Sequence, residues 1–110
     1  MKGLVVAMIC YTYDGSFEGL LTAIYESYYR REKPVEIHSV ENLQPSMLYK
    51  YIHIATDIDK SQKVYNSIRE KISEEALDNI YYVFLADREY ERNTIIYNYL
   101  KLGWKVGKNI

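Results

Sequence analysis

Residues 4–31 constrain the fold of this chain more than any other segment. Residues 4–12 are rich in Val, Ile, Tyr and Thr, which is a strand by propensity. The turn Tyr13-Asp14-Gly15-Ser16 follows at once; Asp-Gly supports a tight, even left-handed, turn because glycine carries no Cβ. Ser16 or Asp14 is then placed to cap the first free N–H groups of a helix. Behind the turn, Phe17, Leu20, Leu21, Ile24, Tyr25 and Tyr28 fall at i, i+3, i+4, i+7, i+8 and i+11, one helical face. The helix is expected from Ser16 to Arg31, with Pro34 as its stop. A strand feeding straight into an amphipathic helix commits the chain to burying that helix face against a sheet.

The remaining periodicities fill in the sheet and its cover. Val35 to Val40 alternates, with Val35, Ile37 and Val40 set against Glu36 and His38, and reads as a second strand. Glu41 to Met47, containing Pro45, reads as a loop. Leu48 to Ala55 is a third strand, in which Tyr49, Tyr51 and His53 oppose Leu48, Ile52 and Ile54. Thr56-x-x-Asp59 loosely matches a capping box. Val64, Tyr65, Ile68 and Ile72 mark the inner face of a helix over 58–72. Ser73, with Glu74 and Glu75, caps and charges the next helix, whose expected buried face is Leu77, Ile80, Tyr81, Phe84 and Leu85. Ile95, Ile96, Tyr99 and Leu100 define a fourth helix, ended by Gly103. The expectation is a single α/β or α+β domain over 1–110, with a small three-stranded mixed sheet and about four helices.

Charge and cysteine usage narrow the function classes. A net charge of −1 provides no general basic field, so any nucleic-acid contact needs a local patch. The lone Cys10 excludes an internal disulfide and any multi-cysteine metal site, and in its apolar run it reads as a small buried hydrophobe. The run Leu4 to Cys10 is too short to span a bilayer and lacks a cleavage site, which points to a cytoplasmic protein without a membrane partner. Tyrosine is the outlier, with 13 in 110 residues. Its apolar ring and polar tip suit half-buried positions and interfaces, and its faces can stack on unpaired bases.

Motifs that carry chemistry are weak. The strand, the turn at Tyr13-Asp14-Gly15-Ser16 and the helix N-terminus form a generic anion site. One glycine stands where a dinucleotide fingerprint has three, no Walker lysine follows, and Asp14 and Glu18 would repel phosphate. His38 and His53, with Asp57 or Glu36, offer metal-binding atoms, but isolated strand histidines read as boundary residues and no metal is expected. Asp57 and Asp59 are explained by capping, and Asp87, Arg88, Glu89, Glu91 and Arg92 by a solvated turn. No Ser, Cys or Lys has the sequence context of a nucleophile, so neither catalytic residues nor a cofactor are assigned. Arg30, Arg31 and Lys33 close the first helix, where cations complement the dipole. Lys101, Trp104, Lys105 and Lys108 form a second basic group around the one tryptophan and are the candidate nucleic-acid contacts.

YDGSFEGLLTAIYESYYRRE (residues 13–32) resembles the N-terminal signature of a bacterial family assigned to DNA repair or DNA metabolism. ATDIDKSQKVYNSIREKIS, YYVFLADRE and YNYLKLGWKVG follow in the family's order, so the similarity spans about residues 8–107. Its most specific part is Tyr13, Asp14, Gly15, Ser16, Phe17, Glu18 and Gly19. The family is typically encoded beside a radical-SAM protein of the DNA-modification or repair type, and in some bacteria is fused to a uracil-DNA-glycosylase-like domain. The resemblance implies a non-catalytic accessory protein with a radical-SAM partner and DNA as ligand, and it carries over no catalytic residue. It also implies that Met8 is a natural start, residues 1–7 an extension, and a basic, aromatic C-terminal segment missing. A protein-interaction module, homodimeric through its tyrosines, is the alternative that composition allows.

Overall fold

In a computed structural model describing residues 8–86 and 89–107, the first strand becomes the middle of the sheet. β1 (Met8–Tyr13) lies between β2 (Glu36–Ser39) and β3 (Tyr49–His53), giving the order β2-β1-β3. Cys10 stands opposite Glu36 and Tyr13 opposite Ser39 on one side; Met8 stands opposite Tyr49 and Thr12 opposite His53 on the other. Both pairings are parallel, so the expected mixed sheet is corrected to an all-parallel one. α1 (Phe17–Tyr29) makes the first crossover. The second is made by the nine residues 40–48, with a short 3₁₀ turn at Val40–Asn42. A parallel connection commonly takes a dozen or more residues. Nine extended residues nevertheless reach about 30 Å, enough to run back along a five-residue strand and step across β1.

Side-chain alternation then divides the sheet. Tyr11, Tyr13 and Ile37 are buried in the main core, with Ile9 and Ile52 packed against it, on the face that receives the helices. Cys10, Glu36, His38, Tyr49 and Tyr51 point to the opposite face, beneath Leu43, Gln44 and Ser46 of the crossover loop. The result is an α+β globule with four α-helices among the described residues: α1, α2 (Ile58–Ser67), α3 (Glu74–Ala86) and α4 (Glu89–Val106). Leu20, Leu21 and Ile24 of α1 meet Val64, Ile68, Ile72, Leu77, Ile80, Ile96 and Leu100 in one core. Burying each such side chain contributes about 1.5–3 kcal/mol.

The ends of the helices follow local chemistry. Ser16 is the N-cap of α1, its Oγ accepting from Gly19 N at 2.9 Å. At the other end Arg31 takes a left-handed φ of 55°. Glu32 N then donates to Ser27 O and Arg31 N to Tyr28 O, a Schellman closure that stops the helix before Pro34 is reached. Asp57, not Thr56, caps α2, through Lys60 N at 3.1 Å. The helix expected over 58–72 is α-helical to Ser67 and finishes in a π-type turn, Ile68–Ile72, closed by Ser73 N on Ile68 O. Ser73 caps α3 as expected, accepting from Ala76 N at 2.9 Å.

Three sequence expectations for α3 and α4 need correction. Tyr81 and Leu85 are exposed, at 47% and 62%. At about 100° per residue they lie roughly 90° and 130° from the centre of the face made by Ala76, Leu77 and Ile80. Gly103 does not end α4 but lies inside it, because a Cβ there would stand 2.6 Å from Ile72 Cδ1; the glycine permits close packing. Ile95 is exposed, and Tyr97 takes its place in the core. The charged turn expected at 87–92 also changes character: Glu89 opens α4, and Arg92 reaches inward to Phe84 O at 3.0 Å and Tyr13 Oη at 3.1 Å. Asp87 and Arg88, like residues 1–7, lie outside the described residues. No described helix is long and apolar enough to cross a membrane.

Candidate functional site

The turn at residues 13–19 sits at the carboxyl ends of the strands, where parallel sheets commonly hold ligands, yet its side chains are spent on structural contacts. Tyr13 is fully buried and its hydroxyl receives hydrogen bonds from Arg92 and Asn93. Asp14 Oδ1 accepts from Ser16 N (2.9 Å) and Ser16 Oγ (2.6 Å), and Oδ2 accepts from Thr56 Oγ1 at 2.7 Å. One carboxylate thus ties the loop after β1 to the loop after β3. Gly15 holds φ at 91°, which a side chain would strain. Phe17 packs edge-on against Tyr81 and Phe84, at 5.1 and 5.2 Å between ring centroids. Glu18 lines a cleft of about 330 Å³ with Gln62, Asp78 and Tyr81, and Asp14 is not part of that lining.

A small polar cleft of about 230 Å³ lies on the other face of the sheet. Glu36 there pairs with His38 Nε2 at 3.0 Å and accepts from Tyr49 Oη at 3.3 Å. His38 and His53 lie in one row but flank Thr12, and His53 Nδ1 bonds Thr12 Oγ1 at 2.9 Å instead of meeting His38. Among the described residues no three His, Cys, Asp or Glu side chains are grouped to hold a metal ion. Cys10 is buried at the floor, and burial together with the Glu36 charge pushes its thiol up to about 11. A thiol held protonated in this way is a poor nucleophile.

A larger concavity than this cleft lies elsewhere, between α1, α2 and the end of α4. It measures about 530 Å³, with Ile24 and Val64 at its base. Tyr25, Tyr28 and Tyr29 form one wall, Trp104 stands at the end, and Lys63, Ser67 and Lys71 form the other rim. Trp104 is half-buried. Its Nε1 donates to Ser67 Oγ at 2.9 Å and its ring meets Tyr28 edge-on at 5.4 Å. Tyr25 and Tyr29 stack at 6.1 Å with 17° between their planes. Tyr28, expected in the core, is 50% exposed. Neither Lys63 nor Lys71 makes an ion pair among the described residues, and no acidic side chain lines the groove.

Of the predicted C-terminal contacts among the described residues, only Trp104 lines this groove. Lys101 turns its ammonium over the Tyr97 ring at 4.6 Å, Lys105 is exposed outside the lining, and Lys108 lies outside the described residues. The lysines that do line it were legible in principle: Lys63, Ser67 and Lys71 follow i, i+4, i+8 beside the apolar stripe Val64–Ile68–Ile72.

Behind the tyrosine wall, Glu26 is buried and bracketed by Lys60 and Arg30. Burial opposes its ionisation, but the hydrogen bonds from Lys60 and Arg30 outweigh that and hold its carboxyl below the ordinary value. Hydrogen bonds from Ser16 and Thr56 do the same for Asp14. Both groups titrate lower folded than unfolded, so their contribution is complete above the unfolded range of about 4 and is lost as pH falls through the folded values. Unfolding midpoints are therefore expected to stay level near neutrality and to drop below about pH 4. The double substitution Asp14→Asn, Glu26→Gln should flatten that drop; an unchanged acid slope would refute the assignment. Compared with protein-family models, curated proteins and solved structures, the chain matches none of them.

Proposed function

We propose that this chain is a non-catalytic accessory protein of DNA repair or DNA metabolism. It works in the cytoplasm beside a radical-SAM partner and meets nucleic acid through the groove between α1, α2 and α4. The observation that carries the nucleic-acid contact is the groove's lining: four aromatic rings and two lysines, with no carboxylate among its residues. Aromatic faces with flanking cations suit a polyanion that carries flat bases. The accessory role and the radical-SAM partner rest on the motif resemblance at residues 13–32. The protonated thiol of Cys10 and the self-satisfied carboxylate of Asp14 agree with a role other than catalysis. Binding of labelled DNA, alone and with the radical-SAM partner, should weaken as salt rises, with a log–log slope between about −1 and −2 for two lysine contacts. Absence of salt-sensitive binding under both conditions would remove the DNA role.

The exposed tyrosines support a second reading, an interaction module that pairs with its own copy. Tyr29 and Tyr82 are 74% and 71% exposed, and aromatic residues are favoured in the cores of interfaces. Light scattering at high concentration separates the two, since a strictly monomeric protein has no such pairing.

A further inference from the structure

Resting on the reading that this protein contacts nucleic acid, we propose that the groove selects unpaired bases, taking single-stranded and not duplex nucleic acid. Its ring faces are the first argument. Tyr29 is 74% and Tyr28 50% exposed, so aromatic surface is presented outward. A duplex hides its base faces inside its own stack and shows only edges in its grooves, which leaves these rings without a partner. A single strand has free faces to offer.

Preorganisation and charge are the second and third arguments. The bond from Trp104 Nε1 to Ser67 Oγ and the edge contact with Tyr28 hold the indole in place before any ligand arrives. Lys63 and Lys71 are eight residues apart along α2 and its terminal π-type turn, about 12 Å along the axis. They lie along a backbone and do not converge on one phosphate. Glu26, next to Tyr25 of the wall, is buried and paired with Lys60 and Arg30, so its charge is compensated and it does not line the groove. An apolar peptide would satisfy the rings but would gain nothing from the lysine rim.

Trp104 is the chain's one tryptophan, so its fluorescence reports on the groove directly. The full chain is titrated with an oligothymidylate of about 12 nucleotides and with a blunt duplex of the same length. The single strand should quench Trp104 and bind at least about ten-fold more tightly than the duplex. Tyr29→Ala should weaken single-strand binding about ten-fold while Tyr29→Phe, which keeps the ring, should not. Because Tyr29 is largely exposed, both variants should fold, and thermal unfolding verifies this. Lys63→Ala with Lys71→Ala should reduce the salt slope by about 1.4. Equal affinity for duplex, or indifference to Tyr29→Ala, overturns the single-strand inference while leaving DNA binding intact. No binding of either probe overturns both. Self-association that depends on Tyr29 and is not displaced by the oligonucleotide assigns the groove to a protein and also overturns the inference.

Discussion

Replacing Asn93 by leucine is expected to lower the free energy of unfolding by about 3 kcal/mol. Asn93 is fully buried on α4 and is the polar joint between that helix and the sheet. Its Nδ2 donates to Tyr13 Oη at 2.8 Å and to Ile37 O at 3.0 Å, and its Oδ1 accepts from Arg92 Nε at 3.0 Å. Leucine fills much of the same volume but leaves the Ile37 carbonyl without this donor and removes the Asn93 donor from the Tyr13 hydroxyl. Each buried group deprived of its partner costs about 1–3 kcal/mol. Denaturant unfolding of Asn93→Leu, Tyr13→Phe and the double variant checks the account. The leucine should cost about 1 kcal/mol less when the Tyr13 hydroxyl is already gone. A loss below about 1 kcal/mol for Asn93→Leu alone would show that the joint is dispensable.

The second large effect is expected at Gly19, in the first turn of α1. Glycine in a helix interior ordinarily costs about 1 kcal/mol relative to alanine, so Gly19→Ala looks favourable from propensity alone. In the fold, a Cβ at this position would lie 2.4 Å from Asp14 Oδ1, 2.9 Å from Thr56 Oγ1 and 2.9 Å from Tyr13 Cδ2. Asp14 cannot simply swing aside, because Ser16 and Thr56 hold both of its oxygens. The expected outcome is a net loss of about 2 kcal/mol, within the usual range for overpacking. Adding Asp14→Ala should recover part of it. A neutral or stabilising Gly19→Ala would mean that the Asp14–Thr56 bridge is loose.

These two residues illustrate what could be read in advance. Local signals were reliable where the cause is local. The Ser16 cap, the Ser73 cap, the apolar stripe of α1 and the three strands all follow from short-range hydrogen bonding and periodicity. Asn93 carried no such signal: it stands among Glu91, Arg92 and Thr94 and reads as surface, because its partners are 80 and 56 residues away. Gly103 misled for a related reason. A glycine near the end of an apolar pattern suggests a C-cap, whereas the demand for a missing side chain came from Ile72 on another helix. For the groove, the tyrosines of α1 and Trp104 stood out by type, but their lysine partners lie on α2 and not beside the tryptophan in sequence.

From its sequence alone, this protein is committed to a strand, a tight Asp-Gly turn and an amphipathic helix, then two more strands and further helices. Those choices depend on groups within a turn or two of each other. Parallel pairing on both sides of β1, burial of Asn93 and the inward reach of Arg92 to Tyr13, and the meeting of Trp104 with Tyr28 and Ser67 were decided only by tertiary structure. The physical reason is the same in each case. Strand direction, the satisfaction of a buried polar group and the shape of a groove depend on which distant surfaces pack together, and periodicity records only that a surface will be covered, not by what.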